Sequence, residues 1–188
     1  QSEGDFCEIS EFSMLIGEKS CFQLAVFTDE PLHFALSEVS GIKIKAFNVF
    51  CVPSEKPFYD DHDEDIVESP DGYYPDLLRP AEKGEIEFVN GGWCSVWFEV
   101  EAEERGKNKI EISLYNEEND LVETRELTVK VINAKLPEQE LICTNWFHCD
   151  CLATWYKVPV FSEEHWQIIE SFVKTAVDHG VNMLLTPL

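Results

Sequence analysis

The tightest limit on how this chain can fold comes from its last stretch, residues 141–188, which reads LICTNWFHCDCLATWYKVPVFSEEHWQIIESFVKTAVDHGVNMLLTPL. The apolar run from Leu141 to Phe147 predicts a strand, followed by a long loop holding His148, Asp150, Trp155 and Tyr156. Ser162 then caps an amphipathic helix. Its apolar residues Trp166, Ile169, Phe172, Val173, Ala176 and Val177 recur at the i, i+3, i+4, i+7 spacing of one buried face. Glu163 and Glu164 occupy the first turn, where the helix dipole favours negative charge. His165 stands where a capping-box Glu would sit, so that box is incomplete. Gly180 suits the left-handed position that ends a helix, and Val181 to Leu185 is a second apolar strand. Two buried strands joined by a helix pair in parallel. Two such strands and one helix cannot cover both faces of a parallel sheet. The stretch is therefore expected to open a larger α/β domain.

Upstream the period changes from helical to two. Phe22, Leu24 and Val26 alternate with Gln23 and Ala25, and Ile42, Ile44 and Ala46 with Lys43 and Lys45. Cys94, Val96, Phe98 and Val100 alternate with Ser95, Trp97 and Glu99. Ile110, Ile112 and Leu114, and then Leu127, Val129 and Val131, repeat the pattern. Alternation means one buried and one wet face per strand, and short strands separated by turn-rich breaks predict an antiparallel, immunoglobulin-like β-sandwich. Residues 53–92 interrupt it as a Pro-rich, acidic insertion. Within it, Asp61, Asp63 and Asp65 match the first ligand positions of a calcium loop. The required Gly is Ile66 and the closing Glu falls at Gly72, so a solvated acidic loop is the better reading. Pro137 marks a linker, because proline cannot donate to a strand ladder. The expected organisation is mostly β: a sandwich over residues 1–138, then a truncated β-α-β piece over 139–188.

Charge and cysteines narrow the partners. The chain carries 14 Lys and Arg against 37 Asp and Glu, a net charge of −23. Such a chain repels nucleic acid and anionic lipid, so neither nucleic acid nor membrane is expected as a partner. No apolar run reaches membrane-spanning length. Seven irregularly spaced cysteines argue against a disulfide framework and for a reducing, cytoplasmic setting. Cys143, lying within the first apolar run, is expected to point into the core. Cys149 and Cys151 form C-x-C without a second pair at zinc distance, so no metal is expected, and no cofactor motif is found.

The candidate chemistry lies just past the apolar strands, because function in parallel α/β domains collects at the strands' C-terminal ends. There the chain offers the segment from Trp146 to Tyr156 and, after the second strand, Thr186. His148 and Asp150 are two apart, which on extended chain puts both side chains on one side. Such a pair can hold a sugar hydroxyl or assist proton transfer, or simply form a hydrogen bond that stiffens the loop. Trp146, Trp155 and Tyr156 offer flat apolar faces with polar edges, suited either to a sugar ring or to packing.

These motifs resemble a known family. Tyr74-Pro75-Asp76-Leu77-Leu78, Trp97, Lys135-Leu136-Pro137, WFHCDCLATWYKVPVFSEEHW and HGVNMLLTPL together resemble domain of unknown function 4091, related to glycoside hydrolase family 123. The resemblance covers residues 74–188 and is most specific in the final 45. It implies a bacterial protein in which an N-terminal sandwich precedes a TIM barrel, the two apolar strands being the first two of that barrel. It further implies that His148 and Asp150 face a sugar site, and that the substrate is an N-acetylhexosamine-containing glycan. The catalytic Asp-Glu pair is implied on a later strand. A barrel needs about 200 residues or more, far more than follow Glu140. The expectation is thus a non-catalytic front piece of a glycoside hydrolase, with dimerisation through exposed barrel elements as a hazard. The alternative is a self-contained carbohydrate-binding or protein-interaction sandwich.

Overall fold

The computed structural model describes residues 8–55, 71–89 and 91–186. The chain divides into two compact units, Gln1–Leu136 and Pro137–Leu188.

In the first unit the strands run β1 (Glu11–Ile16), β2 (Lys19–Thr28), β3 (His33–Leu36), β4 (Ile42–Ser54), β5 (Gly72–Pro80), β6 (Gly92–Ala102), β7 (Gly106–Tyr115) and β8 (Leu121–Lys135). They form two four-stranded sheets, ordered β1-β8-β7-β3 and β2-β6-β4-β5. The alternation read in the sequence is what packs them. Along β6, Cys94, Val96, Phe98 and Val100 are buried while Ser95, Trp97 and Glu99 are only partly covered. Ile110, Ile112 and Leu114 of β7 and Leu127, Val129 and Val131 of β8 join them in one apolar core. Phe98 anchors it, stacked on Phe22 at 4.9 Å and meeting Phe34 of the opposite sheet edge-on at 5.4 Å. Each such buried side chain stabilises the sandwich by about 1.5–3 kcal/mol. The mostly β class is as expected.

Two features depart from the expectation. β1 pairs with β8 in parallel, with Met14 opposite Val131, so this sheet is not wholly antiparallel. The stretch expected to be one long insertion contains β5, which pairs antiparallel with β4. Pro75 and Pro80 lie within β5, and their missing N–H groups are tolerated because β5 is an edge strand. The acidic run holding Asp61, Asp63 and Asp65 lies outside the described residues. Beyond β5 the chain is tied back by Asn48, which is buried. Its amide donates to Glu85 O at 2.8 Å and accepts from Glu87 N at 2.9 Å, so both polar ends are satisfied.

In the second unit, β9 (Thr144–Trp146) and β10 (Met183–Leu185) pair in parallel, as the strand-helix-strand pattern predicts. Both strands are shorter than their apolar runs. Upstream of β9 the Asn182 side chain takes over from the ladder, accepting from Cys143 N at 2.8 Å and donating to Leu141 O at 3.0 Å. Leu141, Ile142 and Cys143 are exposed there, so Cys143 does not enter a core as expected. The expected long loop after β9 is replaced by a helix, α1 (Cys149–Tyr156). Its CDCLATWY sequence has Leu and Ala inside and neither Gly nor Pro, which favours helix once packing supplies a partner. Helix α2 (Glu163–Asp178) begins as predicted, with Ser162 Oγ accepting from His165 N at 3.3 Å. Of its predicted apolar face, Ile169 is buried, whereas Trp166, Phe172 and Val177 remain exposed.

Candidate functional site

The parallel register of β9 and β10 builds one end of the second unit. Leu185 stands opposite Trp146, and Phe147 N donates to Leu185 O at 2.7 Å, extending the pair one residue further. Trp146, His148 and Thr186 therefore sit at the same, C-terminal end of the two strands. All three are exposed or partly so, Trp146 at 71%. The Trp146 indole and the His148 imidazole stack, with centroids 6.1 Å apart and planes 26° from parallel. That stack follows from the spacing: side chains two apart on extended chain point the same way.

The same spacing does not join His148 to Asp150. His148 is the N-cap of α1, without a side-chain capping bond, and Asp150 lies in the helix's first turn. Two positions apart, side chains share a face on a strand but not on a helix. Asp150 instead carries the negative charge that the positive end of the α1 dipole favours. Trp155 and Tyr156 lie at the other end of α1, about 10 Å along the helix axis from His148. Trp155 is 80% exposed, and Tyr156 packs edge-on against Phe172 of α2 at 6.4 Å. The structure thus brings Trp146 and His148 together, puts Thr186 at the same end but opposite Phe147, on the alternate face of the strand pair, and sets Trp155 and Tyr156 at the far end of α1.

One residue that reads in the sequence only as an incomplete cap is central here. His165 is fully buried. Its Nδ1 accepts from Phe161 N at 2.9 Å, and its Nε2 lies 2.8 Å from Cys149 O. Phe161 has φ +58, a left-handed conformation that is costly for a residue with a Cβ. The signal available in the sequence is Ser-x-x-His at a helix start, preceded by an aromatic residue.

Two shifted groups belong to the sandwich. Burial, with Glu99 adding to it, pushes the Cys21 thiol up against an opposing hydrogen bond from Trp97. Glu103 holds the Lys43 ammonium above its usual range through a hydrogen bond and its charge. Six described cysteines are free: Cys21, Cys51, Cys94, Cys143, Cys149 and Cys151. Among the described residues no group of three His, Cys, Asp or Glu is placed to hold a metal ion. No described helix is long and apolar enough to cross a membrane.

Similarity to known proteins bears on this end of the chain. Residues 146–188 match the family described as glycoside hydrolase 123, catalytic domain. No curated protein matches the chain. Among solved structures, a family 123 glycoside hydrolase from Clostridium perfringens, studied for glycolipid glycan hydrolysis, shares its fold. The TM-score is 0.69 at 15% identity, over 95% of this chain and 34% of that one. This chain thus spans about a third of that hydrolase's length. PbICP-C, solved in complex with falcipain-2, gives a TM-score of 0.36 at 14% identity over 66% of this chain and 88% of its own. A PapD-like domain of human CEP192 gives 0.29 at 12% identity, over 68% and 84%. Those two scores are too low to bear on fold or function. Residues 146–188 are thus similar to the family 123 catalytic domain, and the chain shares the fold of part of the Clostridium enzyme.

Proposed function

We propose that the second unit supplies part of the sugar-holding end of a site acting on N-acetylhexosamine-containing glycans. The observation that supports this is the Trp146–His148 stack at the C-terminal end of β9, with Thr186 just past the end of β10, within the segment matching the family 123 catalytic domain. Trp146 offers an exposed indole face against which the C–H face of a pyranose ring can lie. The His148 imidazole can donate to or accept from a sugar hydroxyl, depending on its tautomer, and the Thr186 hydroxyl can do both. Asp150, beside them in sequence, can accept from a further hydroxyl. In this reading these residues bind and orient, and the acid–base chemistry belongs to the carboxylate pair that the family resemblance puts on a later strand. The sandwich serves as the accessory unit.

Titrating N-acetylglucosamine and N-acetylgalactosamine into the protein, followed by tryptophan fluorescence, tests the reading. Trp146→Ala should weaken binding about fivefold to tenfold, the scale of one aromatic contact. Saturable binding that Trp146→Ala and His148→Ala leave unchanged would move the sugar to the sandwich. No saturable binding of either sugar would count against the proposal.

A further inference from the structure

We infer that His165 is a positioning residue for the end of β9, and that it acts through one tautomer. The inference rests on reading that end as the sugar-facing site. Phe161 donates its backbone N–H to Nδ1, so Nδ1 carries no proton. The remaining proton of a neutral imidazole is then on Nε2, where it donates to the Cys149 carbonyl 2.8 Å away. Cys149 is the residue between His148 and Asp150. One buried ring therefore ties the backbone of the candidate site to the turn before α2.

The surroundings show that this tie is more than space-filling. Phe161 is held at φ +58, and such strain persists only where neighbouring contacts over-determine it. The His165 ring supplies one of them, as both the acceptor for the Phe161 N–H and a tilted aromatic neighbour with centroids 5.9 Å apart. The helix start itself is already capped by Ser162 Oγ. An apolar residue of similar size would leave the Phe161 N–H without its acceptor and Cys149 O without its extra donor. The orientation of the His148–Asp150 segment is thereby coupled to a residue that never meets the sugar.

Two variants of the full chain separate the two bonds. In His165→Asn, the side-chain oxygen falls near the place of Nδ1 and can keep the Phe161 bond. In His165→Gln, the longer amide falls near the place of Nε2 and can keep the Cys149 bond. The readouts are the ring-proton shifts of His148, set by its stack on Trp146, and amide exchange over residues 148–151. His165→Gln should preserve the His148 shifts. His165→Asn should move them toward unstacked values and speed exchange about fivefold to tenfold, as loss of one buried hydrogen bond implies. Unchanged shifts in both variants, or equal loss in both, would overturn the inference. Imidazole nitrogen shifts in the unsubstituted protein give a check that needs no variant. They should report a neutral ring protonated at Nε2, and a proton on Nδ1 would overturn the assignment. None of these readouts involves sugar, so they can fail while the glycan titration succeeds, or the reverse.

Discussion

At the scale of single residues, the most exacting positions are those where backbone and side chain compete for one space. Gly84 has φ +77, and a Cβ built there would lie 2.1 Å from Phe34 O. Its own carbonyl accepts from Phe34 N at 2.8 Å, tying this turn to edge strand β3. Gly17 has nearly the same dihedral, φ +82, yet a Cβ added there would meet nothing within 4 Å. Both substitutions to Ala incur the left-handed cost of about 1–2 kcal/mol. Only Gly84→Ala adds a backbone collision. Chemical denaturation should therefore show Gly84→Ala at least about 1 kcal/mol less stable than Gly17→Ala. Equal losses would mean that the β3 edge yields freely. Residues of this kind are not legible in the sequence, where the two glycines differ in nothing that predicts which one faces a carbonyl. His165 is the same case in the second unit. Its place in the helix start can be read, but its partners Cys149 and Phe161 are joined to it only by the fold.

At the scale of elements, long periodic strands are legible and short elements are not. β6, β7 and β8 carry strict alternation over many residues, and the structure buries the predicted face of each. Helix α1 escapes a reading by period because eight residues give barely two turns, too few for a period to show. β5 escapes it because its prolines argue against a strand unless it lies at an edge, and edge position is a property of the sheet. Helix α2 is recognisable from its cap and its apolar stripe together. Ser162→Ala removes that cap, and thermal unfolding should show a loss of about 1 kcal/mol. A loss under about 0.3 kcal/mol would mean that packing around the buried His165 ring, and not the cap, sets the helix start.

At the scale of the whole molecule, charge is the dominant fact. The net charge of −23 works against any compact state through self-repulsion. Ion pairs such as Lys109–Glu126 and Arg125–Glu8 are exposed and contribute little each. Salt should therefore raise the melting temperature as screening shortens from about 30 Å at 0.01 M to about 8 Å at 0.15 M. A fall over that range would show that attractive pairs outweigh the net repulsion. The amino-acid order alone is enough to specify the mostly β class, the buried faces of the long strands, the parallel pairing near the C-terminus and the start of α2. Each of these is written in local periodicity or capping chemistry, which neighbours along the chain suffice to express. Folding in three dimensions was needed to set β1 parallel to β8, to place β5 at a sheet edge, and to gather Trp146, His148 and Thr186 at one end while Trp155 and Tyr156 lie elsewhere. Those facts depend on register between distant strands and on hydrogen bonds such as Cys143 to Asn182, whose partners are 39 residues apart. No local pattern encodes which distant group will satisfy a given donor, so such contacts appear only when the chain is folded.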